Sequence, residues 1–221
     1  MIATFVNCAA VILGALIGLL VSKNLKTSFK EIVMSCAGIT TLIAAFQMAL
    51  KTSNLLVMLF SLLIGGFLGH ILKIEEHVLA LGDRIGNNGT FGAGFLNASV
   101  LFCSGAMAVV GSISAGTTGD ASLIYLKSVM DGFMAIVFAA AYGPGVLLSA
   151  ASILVYQGFF TLSGGFIGPL LGDIAINELA AVGGALLIMI ALGLLDIKKF
   201  KTGNFLPAMI CAPVLAKLFI K

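Results

Sequence analysis

The residues of this chain best able to do chemistry lie between Asn97 and Asp131. Lys127 and Asp131 are four positions apart and so stack on one face of a helix. Both fall inside an otherwise apolar stretch, 123–142, where a charge is costly and usually faces a bundle interior or a watery path. A carboxylate in that setting can exchange a proton or a sodium ion with a moving solute. The alternative is a structural ion pair that fixes helix register. Asn97, Ser104 and Gly105 on the preceding apolar segment, with Gln157 and Asn204 on later ones, complete a candidate solute- or ion-binding set. The run Cys103-Ser104-Gly105-Ala106 has the composition of a helix that unwinds locally, and Pro207 frees backbone carbonyls in the last segment. Asn7, Gln47, Gln157 and Asn204 also suit plain interhelical hydrogen bonding.

Those residues require a scaffold of apolar helices. Of 221 residues, 60% are hydrophobic and 10% charged, and the mean hydropathy is +1.17. That composition predicts an all-α, polytopic transmembrane bundle forming one integral membrane domain over 1–221. The lipid bilayer is then its first partner. The basic residues are scattered among the loops, which argues against nucleic acid. Cys8, Cys36, Cys103 and Cys211 lie in apolar runs without a C-x-x-C pair and read as small buried hydrophobes. No metal site or cofactor is expected. The first apolar run lacks a basic leader and reads as a retained span.

Eight spans are expected, at about 5–21, 32–50, 55–72, 95–113, 123–142, 146–162, 180–195 and 204–220. Between the third and fourth, 73–90 places Ile74, Val78, Leu81 and Ile85 at helical spacing among charges, which predicts an amphipathic surface helix followed by a loop at Asn87-Asn88-Gly89. Asn97, Ser104, Ala108 and Gly111 should form one polar, small-residue stripe on the fourth span. Gly116 to Asp120 reads as a polar turn, and 163–173, with Pro169, as a loose glycine-rich connection. Asp120, Asp173 and Glu178 should be solvated. The Gly14/Gly18 and Gly65/Gly69 stripes offer close-packing surface beyond what a monomer needs, which predicts a homodimer.

Eight basic residues (Lys23, Lys26, Lys30, Lys73, Arg84, Lys198, Lys199 and Lys201) fall in one set of loops, against Lys51, Lys217 and Lys221 on the other side. The positive-inside rule puts the first set in the cytoplasm and both termini outside. Spans two and three, from Gly38, and spans seven and eight, from Gly183, share a plan: a Gly-led apolar helix, a short turn with Lys and Asn, then a second helix. This echo points to an inverted repeat with broken helices, a feature of secondary transporters.

The runs LFCSGAMAVVGSISAGTTGD, LKSVMDG, YQG at Tyr156 to Gly158, and TGNFLPAMICAP resemble a bacterial family of small multi-spanning proteins catalogued as domain of unknown function 554. Some of its members carry the description of transport proteins. The resemblance implies an integral inner-membrane protein and supplies no catalytic residues. No Walker loop, nucleophile elbow, H-E-x-x-H or dinucleotide fingerprint occurs, and the chain is not expected to be an enzyme. The expected function is secondary transport of a small solute or ion, proton- or sodium-coupled through Asp131. A channel, or a membrane scaffold without transport, are the alternatives.

Overall fold

A computed structural model describes residues 1–23, 27–85 and 90–220, and it is all-helical there. Lys26 and the Asn87-Asn88-Gly89 stop lie outside the described residues. The helices are α1 (Ile2–Lys23), α2 (Thr27–Ala49), α3 (Leu55–Ile71), α4 (Ile74–Ile85), α5 (Phe91–Cys103), α6 (Ala106–Thr117), α7 (Ser122–Tyr142), α8 (Gly145–Leu194) and α9 (Ala208–Phe219), with a short 3-10 helix, Thr202–Phe205, leading into the last. Five are long and apolar enough to cross a membrane, or up to seven when each of two bent pairs is one span. Ile2, Leu20, Phe67, Val155 and Phe166 are among the many large side chains left uncovered, a surface suited to hydrocarbon rather than water.

The span ends follow the hydropathy closely, with three departures. The expected connection at 163–173 is helical throughout except at Gly172, whose φ of 66° and ψ of 166° break α8 into two arms. A straight helix of 50 residues would reach roughly 75 Å, far more than one bilayer crossing. Gly164 stays helical because α6 lies against it: a Cβ there would stand 3.1 Å from the Ile113 backbone. The second arm consequently begins at 173 rather than 180. The fourth span is also divided. α5 stops at Cys103, α6 starts at Ala106, and their axes differ by 61°. The expected single stripe of Asn97, Ser104, Ala108 and Gly111 is thereby split between two helices. The last span opens as the 3-10 turn before α9, where Pro207 stands as the N-cap.

Glycine sets the packing. Cβ atoms at Gly14 and Gly18 of α1 would lie 2.1 Å from the Gly132 carbonyl oxygen and 2.2 Å from that of Ile136, so α1 and α7 run side by side in the same direction. Gly65 of α3 meets the Ala208 backbone and Gly69 meets that of Asn204, so α3 and the last span run in opposite directions. Both glycine stripes are filled within one subunit, which removes the ground given above for a homodimer. α2 opposes the second arm of α8: Gly38 meets Leu194 and Leu195, and Gly184 meets Ala45 and Ala49.

Glu178 is not solvated. It is fully buried and accepts hydrogen bonds from the Thr52 hydroxyl at 2.7 Å and from the Ser53 and Asn54 backbone N–H groups at 2.5 and 3.2 Å. Asn54 is also the N-cap of α3, accepting from Leu56 N at 2.9 Å. The glutamate thus sits at the positive end of that helix.

Candidate functional site

Asp131 lies nine residues into α7, about 14 Å along an axis of about 31 Å, near mid-membrane. Lys127 Nζ donates to both of its oxygens, at 2.7 and 2.6 Å. Asn7 Nδ2, from α1, donates to Oδ2 at 3.0 Å. Lys127 and Asp131 are only 6% and 7% exposed, so the pair is shielded from both faces. The parallel glycine seam of α1 on α7 brings Asn7 to this carboxylate. An ion pair taken out of water needs such further hydrogen bonds to offset its desolvation.

The surrounding interior is polar and under-satisfied. Cys8 Sγ donates to Ala150 O at 3.3 Å, and Ser99 Oγ donates to Ser152 Oγ at 2.9 Å, which fixes α1 and α5 against the first arm of α8. Cys103, at the end of α5, is close enough to feel the charges of Lys127 and Asp131, and Tyr156 is close to Cys103. Ser104 Oγ, Tyr156 Oη, both polar atoms of Gln157 and Asn7 Oδ1 are buried without a hydrogen-bond partner among the described residues. Each such group costs about 1–3 kcal/mol. Gly105, in the break, has open space where a Cβ would stand, while Gly183 of the second arm presses on Ser104. The α6 N-terminus has no side-chain cap.

Two of the expected site residues lie elsewhere. Asn97 lines a cavity of about 650 Å³ between α2, α4, α5, α7 and the second arm of α8. It lies within hydrogen-bonding reach of Tyr142. Asn204 accepts from Glu75 N at 2.9 Å and packs on Gly69, a structural role beside the same cavity. Glu75 Oε2 accepts from Gly203 N at 2.6 Å. Burial pushes the Glu75 carboxyl up, and the Gly203 N–H draws it partly back. On the next residue, Lys201 pairs with Glu76 at 2.6 Å, holds that carboxyl down and is itself raised. Along α7 the cavity lining ends at Ala141, 10 residues, about 15 Å, short of Asp131.

Sequence reasoning missed Glu31, Glu75, Tyr142 and Thr202 of the cavity. One signal was present: Lys-Thr-x-Asn occurs at Lys51 to Asn54 and again at Lys201 to Asn204. A buried or half-buried glutamate grips each copy from another helix, Glu178 the first and Glu75 the second.

Apolar helices with uncovered lipid-facing sides around a buried ion pair define a multi-spanning helical membrane protein. The chain matches the family described as protein of unknown function DUF554 over residues 2–217, and it belongs to that family. It is 31% identical over 218 residues to the uncharacterized membrane protein YdfK of Bacillus subtilis (strain 168), covering 97% of this chain and 95% of the relative. It is 29% identical over 221 residues to the uncharacterized protein YqgA of Escherichia coli (strain K12), covering 96% and 94%. No solved structure matches it.

Proposed function

We propose that the chain is a secondary transporter for a small solute or ion, with Lys127 and Asp131 as its coupling pair. The observation that carries this reading is the closed ion pair at mid-membrane beside hydroxyl and amide groups that have no hydrogen-bond partner among the described residues. Asp131 cannot take a proton or sodium ion while Lys127 bridges both of its oxygens. Coupling then means exchange: the incoming cation displaces Lys127, which turns to the unpartnered groups near the α5–α6 break. A channel fits less well, because the cavity ends short of the pair and the pair is sealed.

The path of the chain supports eight crossings, counting α5–α6 as one and the two arms of α8 as two. Contacts exchange between the α2–α3 pair and the pair formed by the second arm and α9. Gly38 meets Leu194 while Gly184 meets Ala49, and Gly65 meets Ala208 while Val57 clusters with Ala216. Such reciprocity favours the inverted-repeat plan. Proteoliposomes on a solid-supported membrane, challenged with pooled metabolites under imposed proton and sodium gradients, test the function. Saturable, gradient-dependent currents that vanish in Lys127→Met/Asp131→Asn are expected. Currents that persist in that variant would exclude the pair as the coupling site, and large non-saturating currents would indicate a channel.

The face bearing Lys199 and the Lys201–Glu76 pair carries the basic loops and is assigned to the cytoplasm of a bacterial inner membrane, with both termini outside. In a variant without the native cysteines, Asp120→Cys should react with a membrane-impermeant maleimide in intact cells. Lys199→Cys should react only after permeabilisation, and the reverse order would overturn the orientation.

A further inference from the structure

The cavity that holds Asn97 has a chemistry of its own. Its volume, about 650 Å³, is that of a small-molecule site rather than of a bare ion. Much of its wall is apolar, including Leu79, Leu96, Met189, Ile190 and Leu194. The charged groups among its described lining residues are Glu31, Glu75, Asp196 and Lys199. Lys199 and Asp196 face each other at 3.8 Å with side chains 83% and 88% exposed, so they mark the rim and cancel there. Glu31 and Glu75 are left as two carboxylates above an apolar floor. Lys201, two residues beyond Lys199, is paired with Glu76.

A second observation is independent of the acidic pair. Thr202 lines the cavity, is 3% exposed, and its hydroxyl has no hydrogen-bond partner among the described residues. Unlike the sealed groups near the α5–α6 break, this oxygen is not closed off, and a molecule in the cavity can donate to it. The adjacent Gly203 N–H and the Asn204 side chain are both engaged with Glu75, which fixes Thr202 in place.

We propose that this cavity binds a small organic ammonium ion with a short apolar body. The ammonium N–H groups would donate to Glu31 and Glu75 and to the Thr202 oxygen, and the hydrocarbon part would lie on the leucines and Met189. Carboxylate acceptors strengthen such hydrogen bonds and repel an anion of the same shape. The inference concerns binding alone and does not rest on the transport reading.

Isothermal titration of the full chain in detergent, with hexylammonium as probe and hexanol and hexanoate as controls, tests it. Partition into micelles is the same for every variant and cancels in the comparison. Saturable binding of hexylammonium alone is expected, weakened about tenfold or more by Glu31→Gln and measurably by Thr202→Val. Lys127→Met/Asp131→Asn should leave it unchanged, since that pair lies well above the cavity floor. Equal binding of hexanol, or an unaltered affinity in Glu31→Gln, would overturn the assignment. Loss of binding in the Lys127→Met/Asp131→Asn variant would place the ligand at the mid-membrane pair instead.

Discussion

Lys127→Met is expected to cost about 3–5 kcal/mol of stability, and Lys127→Met combined with Asp131→Asn far less. The single change leaves a carboxylate buried in the bundle with only the Asn7 amide to meet its charge. The double change removes both charges, and the asparagine keeps an oxygen for Asn7. Asp131→Asn alone should be similarly costly, because it strands the Lys127 ammonium. Thermal unfolding of the four proteins in one detergent gives the coupling energy directly. Equal and additive losses would mean that the two residues act separately, contrary to the two short hydrogen bonds that join them.

The second large effect is steric. Gly14→Leu should displace α1 from α7, because its Cβ would stand 2.1 Å from the Gly132 carbonyl oxygen and 3.2 Å from the Ala135 methyl. The first obstacle is backbone, so no rotamer change relieves it, and a loss of about 3 kcal/mol or more is expected. The displacement also draws Asn7 away from Asp131, which adds to the cost. Gly165→Ala is the matched control. Gly165 is helical with nothing within 4 Å of a Cβ, and alanine there should be neutral or stabilising by up to about 1 kcal/mol. Should the two variants melt together, α1 is not seated on α7.

The spans were legible because hydrocarbon thickness and helical rise leave few choices of length. α3 and α7 begin and end within a residue of the apolar runs that announce them. The Lys127–Asp131 contact was legible too, since helical spacing alone creates it. Partners distant in sequence were not. Nothing local marks Asn7 as a ligand of Asp131, or Glu178 as the residue that holds Thr52 to Asn54. Glycine misled twice. Gly164-Gly165 resembles a loop but is helix, because α6 needs a flat surface at Gly164, and the actual break falls at the isolated Gly172. The Gly14 and Gly65 stripes resembled a subunit contact, but each meets a helix of the same chain that comes much later.

That last feature sets a timetable for synthesis. Among the described residues α1 packs on α7 and α8 rather than on its neighbour α2. Asn7 and Asp131 are 124 residues apart. At about 5–20 residues per second, the first helix waits about 6–25 seconds in the bilayer before its partner leaves the ribosome. Throughout that interval its groove of small residues and its amide face lipid or the insertion machinery. The chain therefore cannot assemble strictly from its first helix onward: its N-terminal span enters early and is seated late.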